Sequence, residues 1–274
     1  MVKGIDCASR LTAQTAAAIR AEGYAFAGRY LVPSGWKALT KAEAEAITGA
    51  GLRLLTVWET AANRAKGGAA AGAPDGMNAR RCAQDIGMPE GGTIYFAVDF
   101  DAQAGDMDVI EAYLRAAREN TGPYEIGVYG SYGVVEEMAR RKACKDFWQC
   151  VAWSYGKKSE FLNVYQSLFN QQAAGVDVDI NECPDMDRAG IWTYGTSGGN
   201  GDEGKEDKDV KRYNTMNELP DWARPTIQKL VARGCIRGNG APLDTDGNPT
   251  DMDLSLDMIR SFVINDRAGA YGDQ

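Results

Sequence analysis

Residues 1 to about 195 alternate between short β-favouring runs and helix-favouring stretches roughly every 25 residues, and this rhythm restricts the fold more than any other feature of the chain. Such alternation builds right-handed βαβ units around a parallel sheet. Strands are expected at residues 2–6, 26–32, 53–58, 94–98, 125–129, 147–153, 163–168 and 176–180. Helices are expected at 12–22, 40–50, 75–86, 106–120 and 134–142, several of them opened by Thr or Asp and stopped by Gly. The Gly/Ala-rich stretch 66–72 reads as a loop. Eight strands favour a TIM-like (β/α)8 barrel over a doubly wound sheet, at the short end of the barrel's size range. The crossovers after the sixth strand are too short for full helices, so the barrel is expected to be irregular there.

Residues 196–211, TSGGNGDEGKEDKDVK, are Gly-rich and then charge-dense, the pattern of a flexible linker. Beyond them, 220–233 is amphipathic, with Trp222, Ile227, Leu230 and Val231 on one side, and 255–267 reads as a second helix. The expected organisation is a barrel over 1–195, a linker over 196–215 and a small, mainly α-helical domain over 216–274. Two helices and a loop bury little surface, so that domain is expected to pack on a copy of itself, giving a homo-oligomer, or on the barrel.

Composition removes whole classes of chemistry. The 274 residues contain no histidine, which excludes Ser-His-Asp and Cys-His nucleophiles and His-ligated zinc. Cys7, Cys82, Cys144, Cys150, Cys183 and Cys235 are scattered without a CxxC pair, so no metal site is expected and the thiols read as reduced, buried small hydrophobes. Neither GxGxxG after the first strand nor GxxxxGK[ST] occurs, and no cofactor is expected. A net charge of −8 disfavours nucleic acid and anionic membrane as partners. The start MVKGIDCASR runs directly into a strand, and no apolar run of membrane-spanning length occurs. Synthesis in the cytoplasm without a signal peptide, and no membrane insertion, are the corresponding expectations.

What remains is carboxylate chemistry. The stretch TIYFAVDFD, residues 93–101, is a buried strand running into Asp99 and Asp101, which in an extended chain share one side. Asp6 ends the first strand, Glu59 the third, and Asp177 and Asp179 belong to the eighth. The C-terminal strand ends of such barrels hold the active site. Arg29, Tyr30, Tyr129, Trp153 and Gln166 fall near the same rim as candidate substrate contacts. Carboxylates among aromatics suit sugar, and glycoside cleavage needs two carboxyl groups and no metal or cofactor.

The segments GIDCAS, FAGRYL, KALTKAEAEAI, AGLRLLTVWE, GTIYFAVDFD, EIGVYGSYGV and GVDVDINE resemble the glycoside-hydrolase-like domain of unknown function 1906, related to the family 25 lysozymes, over about residues 1–195. The resemblance implies a TIM-like barrel. Family 25 lysozymes end strand four in Asp-x-Glu with the Glu as general acid. Here Asp99-Phe100-Asp101 stands there, so the resemblance puts the acid at Asp101, one methylene shorter. It also matches Asp6 to the strand-one aspartate, and Gln166 with Asp177 to the late Gln…Asp pair of the groove. WARPTIQKLVARGCIRGNG resembles half of an S-layer homology motif, and LSLDMIRSFVINDRAG is similar to C-terminal segments of phage endolysins. Together these imply a phage-type endolysin with muramidase action, made in the host cytoplasm and acting at the wall after release. Its partner would be bacterial peptidoglycan or another wall polysaccharide. Asp101 would be the acid, with Asp99, Asp6 or Glu59 as ionised partner. The alternatives are a non-catalytic wall-binding protein on a glycosidase scaffold and a glycosidase for another wall polysaccharide.

Overall fold

A computed structural model describes residues 1–195, 212–237, 242–252 and 254–267. The chain falls into two compact units, Met1–Gly201 and Asp202–Gln274. Of the expected linker over 196–215, residues 196–211 lie outside the described residues, and Arg212–Tyr213 form a strand of the second unit.

The first unit is the expected barrel. Eight strands close in sequence order: β1 (Val2–Asp6), β2 (Phe26–Tyr30), β3 (Arg53–Trp58), β4 (Thr93–Ala97), β5 (Glu125–Gly130), β6 (Asp146–Cys150), β7 (Val164–Ala173) and β8 (Val176–Cys183). Around them run α1 (Ala13–Ala21), α2 (Lys41–Gly49), α3 (Gly68–Asp85), α4 (Met107–Arg118) and α5 (Tyr132–Arg141). Threonine or serine side chains cap α1, α2 and α5 at Thr12, Thr40 and Ser131.

Strand parity sorts side chains into two cores. Ile94, Phe96 and Val98 face the helices, and Tyr95 and Ala97 fill the barrel. Leu55 and Val57 also point inward, as does Phe26. Small residues make room on the same inner face. A Cβ on Gly28 would stand 2.6 Å from the Cβ of Asp6 and 3.3 Å from Trp148. The N-terminal end of the barrel is closed by the segment after β8. Trp192 exchanges backbone hydrogen bonds with Leu54, the Thr93 amide donates to Gly190 and the Tyr95 hydroxyl to Ala189.

Three expectations are corrected. The sheet is parallel from β1 to β7, but β8 runs antiparallel to both neighbours. Only Ala174 and Gly175 join β7 to β8, with φ of 49° and 77°. A two-residue turn with both φ positive is the type I′ geometry of a hairpin, which forces antiparallel pairing. The stretch 66–72 is a helix start rather than a loop: a 3-10 turn, Arg64–Gly67, leads into α3. Its glycines serve packing, because a Cβ on Gly72 or Gly76 would collide with the Tyr113 or Ala117 carbonyl of α4. Finally, β6 stops at Cys150 instead of 153, and β7 extends to Ala173.

The second unit has a core of its own. β9 (Arg212–Tyr213) pairs antiparallel with β10 (Leu254–Ser255), and α6 (Arg224–Ala232) meets α7 (Leu256–Arg267). Tyr213, Met216, Leu219, Ile227, Leu254, Ile259 and Val263 are buried together. Asp266 accepts from the Thr226 hydroxyl and the Lys229 ammonium, each at 2.8 Å. Trp222, expected on the apolar side, is 45 % exposed, because the helix begins only after it. Five cysteines are buried as expected and Cys235 is exposed.

Candidate functional site

The inward parity of the strands runs out at the C-terminal end of the barrel in polar groups. Gly28 and Tyr30 follow Phe26, Glu59 follows Leu55 and Val57, and Asp99 follows Tyr95 and Ala97. On β1 and β8, Asp6 pairs in register with Asp179. Asp6, Tyr30, Val57, Glu59, Asp99, Tyr129, Trp148, Gln166 and Asp179 line one cavity of about 130 Å³. Its four carboxyl groups come from β1, β8 and the residues just past β3 and β4.

An amide and aromatic network holds two of them. The Gln166 side-chain amide donates to Asp6 Oδ2 at 2.9 Å and to Asp179 Oδ2 at 3.1 Å. The Asn181 amide donates to the same Asp6 oxygen at 2.7 Å. Behind them, Tyr129 Oη donates to Gln166 Oε1 at 2.9 Å, and Trp148 Nε1 to Asn181 Oδ1 at 2.8 Å. Tyr129 and Trp148 meet edge to face at 4.9 Å. The amide of Asn170, in the left-handed region at φ 55°, donates to Asp179 Oδ1 at 2.9 Å. This bulged part of β7 therefore aims a backbone donor at a site acid.

The other two differ from each other. Glu59 is ion-paired with Lys37 at 3.3 Å, and the same ammonium lies 4.1 Å from the centre of the Tyr30 ring. The Asp99 carboxyl accepts no hydrogen bond among the described residues; only its backbone is engaged, through the Ala62 carbonyl. Burial, then the neighbouring Glu59 charge, raise its pKa, and Lys37 partly opposes them. Burial raises Asp6 to about 7, against the two amide donors, with Asp179 and Asp99 adding repulsion. Burial also raises Asp179, opposed by the Asn170 amide. The cavity therefore combines an ion-paired carboxylate with neighbours inclined to hold a proton. That contrast is how two carboxyl groups are assigned to acid and base work. Among the described residues no group of three or more His, Cys, Asp or Glu side chains is placed to hold a metal ion.

Of the residues selected from the sequence, Asp6, Tyr30, Glu59, Asp99, Tyr129, Gln166 and Asp179 meet in this cavity. Asp101 does not line it and is exposed, because the strand ends at Ala97 and the same-side rule of an extended chain lapses in the turn beyond. Asp177 shares the parity of Asp179 but lies toward the hairpin tip, exposed and bonded to Gln172. Arg29 has the opposite parity to Gly28 and Tyr30. It turns toward the helices, fully buried, bonded to Glu43 of α2 at 2.8 Å and to the Cys7 carbonyl. Trp153 lies past the end of β6 and outside the lining, 37 % exposed. Trp148, Asn181 and Lys37 were not foreseen. Parity could have found the first two, since 148 shares the phase of 146 and 181 that of 179 on their strands. Lys37 sits in a loop and leaves no such signal.

Comparison with known proteins supports the same architecture. The crystal structure of the Mycobacterium tuberculosis Tat-secreted protein Rv2525c in complex with L-tartrate superposes with a TM-score of 0.63 at 24% identity, covering 70% of this chain and 99% of that one. A 1.07 Å crystal structure of an uncharacterized B. stearothermophilus protein gives a TM-score of 0.56 at 21% identity, over 70% of this chain and 100% of the other. In sequence, the uncharacterized protein YbfG of Bacillus subtilis (strain 168) is 35% identical over 143 residues, 46% of this chain. The aligned part spans 20% of YbfG and 26% of the similar Bacillus subtilis protein FadG. Residues 17–195 match the Rv2525c-like, glycoside hydrolase-like domain, and the chain belongs to that family.

Proposed function

We propose that the barrel hydrolyses a glycosidic bond in a bacterial wall polysaccharide, peptidoglycan first, through the carboxyl groups of its cavity. One observation carries the reading. Asp99, with a raised pKa and an uncommitted carboxyl, stands beside Glu59, which Lys37 holds as an ion pair. In this reading Asp99 gives its proton to the glycosidic oxygen as the C–O bond breaks. Glu59, ionised, then either takes the proton of the attacking water or bonds the anomeric carbon until water displaces it. Asp6 and Asp179, bridged by Gln166, are placed to hold sugar hydroxyls. The resemblance of residues 1–195 to glycosidase-type barrels and that of the tail to endolysin segments support a lysin of phage type. Such a protein is made in the cytoplasm and used at the wall, with the second unit attaching or pairing it.

A second reading is favoured by one position. Asp101, where the resemblance places the general acid, is exposed and lies outside the cavity. A barrel that binds wall glycan without cleaving it would tolerate that. Purified peptidoglycan incubated with the protein separates the two. New reducing ends, with mass spectrometry showing glycan-strand fragments, support hydrolysis. Saturable sedimentation with the wall and no new ends establishes the binding protein instead.

A further inference from the structure

The cavity of about 130 Å³ is small beside the roughly 300–1,000 Å³ of pockets that enclose a ligand, so a polysaccharide engaged there must lie mostly on the surrounding rim. Two of the places where the described residues present aromatic side chains to water follow β2 and β6. One is the loop after β2. Trp36, 72 % exposed, precedes Lys37, whose ammonium covers Tyr30 and pairs with Glu59 of the cavity.

The other is the turn leaving β6, where Trp153 and Tyr155 are 37 % and 83 % exposed. Both have left-handed backbones, φ 53° and 50°, which large aromatic residues rarely adopt. Ser154 between them is buried and locks the turn. Its hydroxyl donates to the Cys150 carbonyl at 2.6 Å and accepts the Tyr132 amide at 2.9 Å. The buried Gln149 side chain binds the Lys157 carbonyl and the Ser159 amide, each at 2.8 Å. The turn is also tied to the site, because the Val151 amide donates to the backbone carbonyl of Gln166. Strain at two aromatic residues, together with their exposure, costs folding free energy, and a rigid network maintains it. That combination marks a surface kept for a ligand.

In a closed eight-stranded barrel, β2 and β6 are four strands apart in either direction, so the segments that carry the two aromatic places leave from opposite sides of the mouth. We propose that a glycan chain crosses the mouth from Trp36 to Trp153 and Tyr155, with sugars stacked on both sides of the carboxyl cavity. The site then takes internal segments of a polysaccharide rather than chain ends. Four carboxyl groups in the cavity and a net charge of −8 select neutral or N-acetylated sugars over acidic ones. This inference rests on the glycan reading above.

The test measures binding of N-acetylglucosamine and of its β-1,4-linked pentamer to the full chain by calorimetry. Trp36→Ala, Trp153→Ala and Tyr155→Ala are compared with the unaltered protein after thermal melts have shown that each folds. The pentamer should bind about tenfold or more tightly than the monomer. Trp36→Ala and Trp153→Ala should each remove most of that advantage. Pentamer affinity unaltered in all three variants overturns the crossing while leaving the glycan reading intact. Absence of binding by the monomer, the pentamer and solubilised peptidoglycan strands overturns both. A self-associating protein whose dimer dissociates in Trp36→Ala would assign the rim to a second copy and also overturn the proposal.

Discussion

Asp99 and Asp101 are separated by one residue and by everything that matters chemically. Asp99 lies in the cavity with its pKa raised by burial and by Glu59, and Asp101 stands in water. Asp99→Asn should therefore lower reducing-end release by about 10²–10⁴-fold, the usual contribution of a positioned acid, with the melting temperature maintained. Asp101→Asn should remain within about twofold of the parent. Equal losses in both would return the acid role to Asp101. Asp6 gives a prediction of a different kind. Its folded pKa, about 7, lies above the ordinary 3.8, so the folded protein holds a proton that the unfolded chain releases. Stability linked to this group is complete below about pH 4 and is lost as pH rises toward 7. Asp6→Asn keeps an oxygen for Gln166 and Asn181 and removes the buried charge. It should melt about 3 °C or more above the parent at pH 8, and the difference should shrink toward pH 4 in thermal scans.

The elements show why much of this was legible and some of it was not. Strand runs and capped helices carry strong local signals, so the eight strands and the barrel followed from pattern. Parity then carries Asp6, Glu59, Asp99, Gln166 and Asp179 inward to one mouth. The same rule, applied strictly, turns Arg29 outward to Glu43. What local pattern does not contain is where a strand stops, and that decided Asp101. The α3 start was hidden for a related reason. Gly67, Gly68 and Gly72 lower the helix preference of that stretch despite its alanines, and close packing against α4 supports it as helix. At Gly76 the contact is so close that a Cβ would meet the Ala117 carbonyl. Gly76→Ala should thus destabilise by about 1–3 kcal/mol through overpacking, although alanine is the better helix former. Denaturant titration measures the change; a stabilised variant would show that α3 can move away from α4 without loss.

For the whole molecule, the proposed function places chemistry and attachment in different parts of the chain. The cavity and both aromatic places belong entirely to the first unit, and its two cores are built from residues 2–194 alone. The second unit encloses its own buried cluster from Tyr213 to Val263. Among the described residues each cluster is drawn from within one unit, so each unit has a hydrophobic core of its own. A chain ending at residue 195 should then unfold cooperatively, as an intact barrel does, and release reducing ends from solubilised glycan strands at a rate within about twofold of the full chain. On intact walls it should act more slowly, because a second attached site raises the effective concentration of the barrel at its substrate by up to about 10²–10⁴-fold. The comparison of soluble with insoluble substrate is the decisive measurement. A deficit on walls alone assigns the second unit to attachment, and an equal deficit on both assigns it to maintaining the barrel itself.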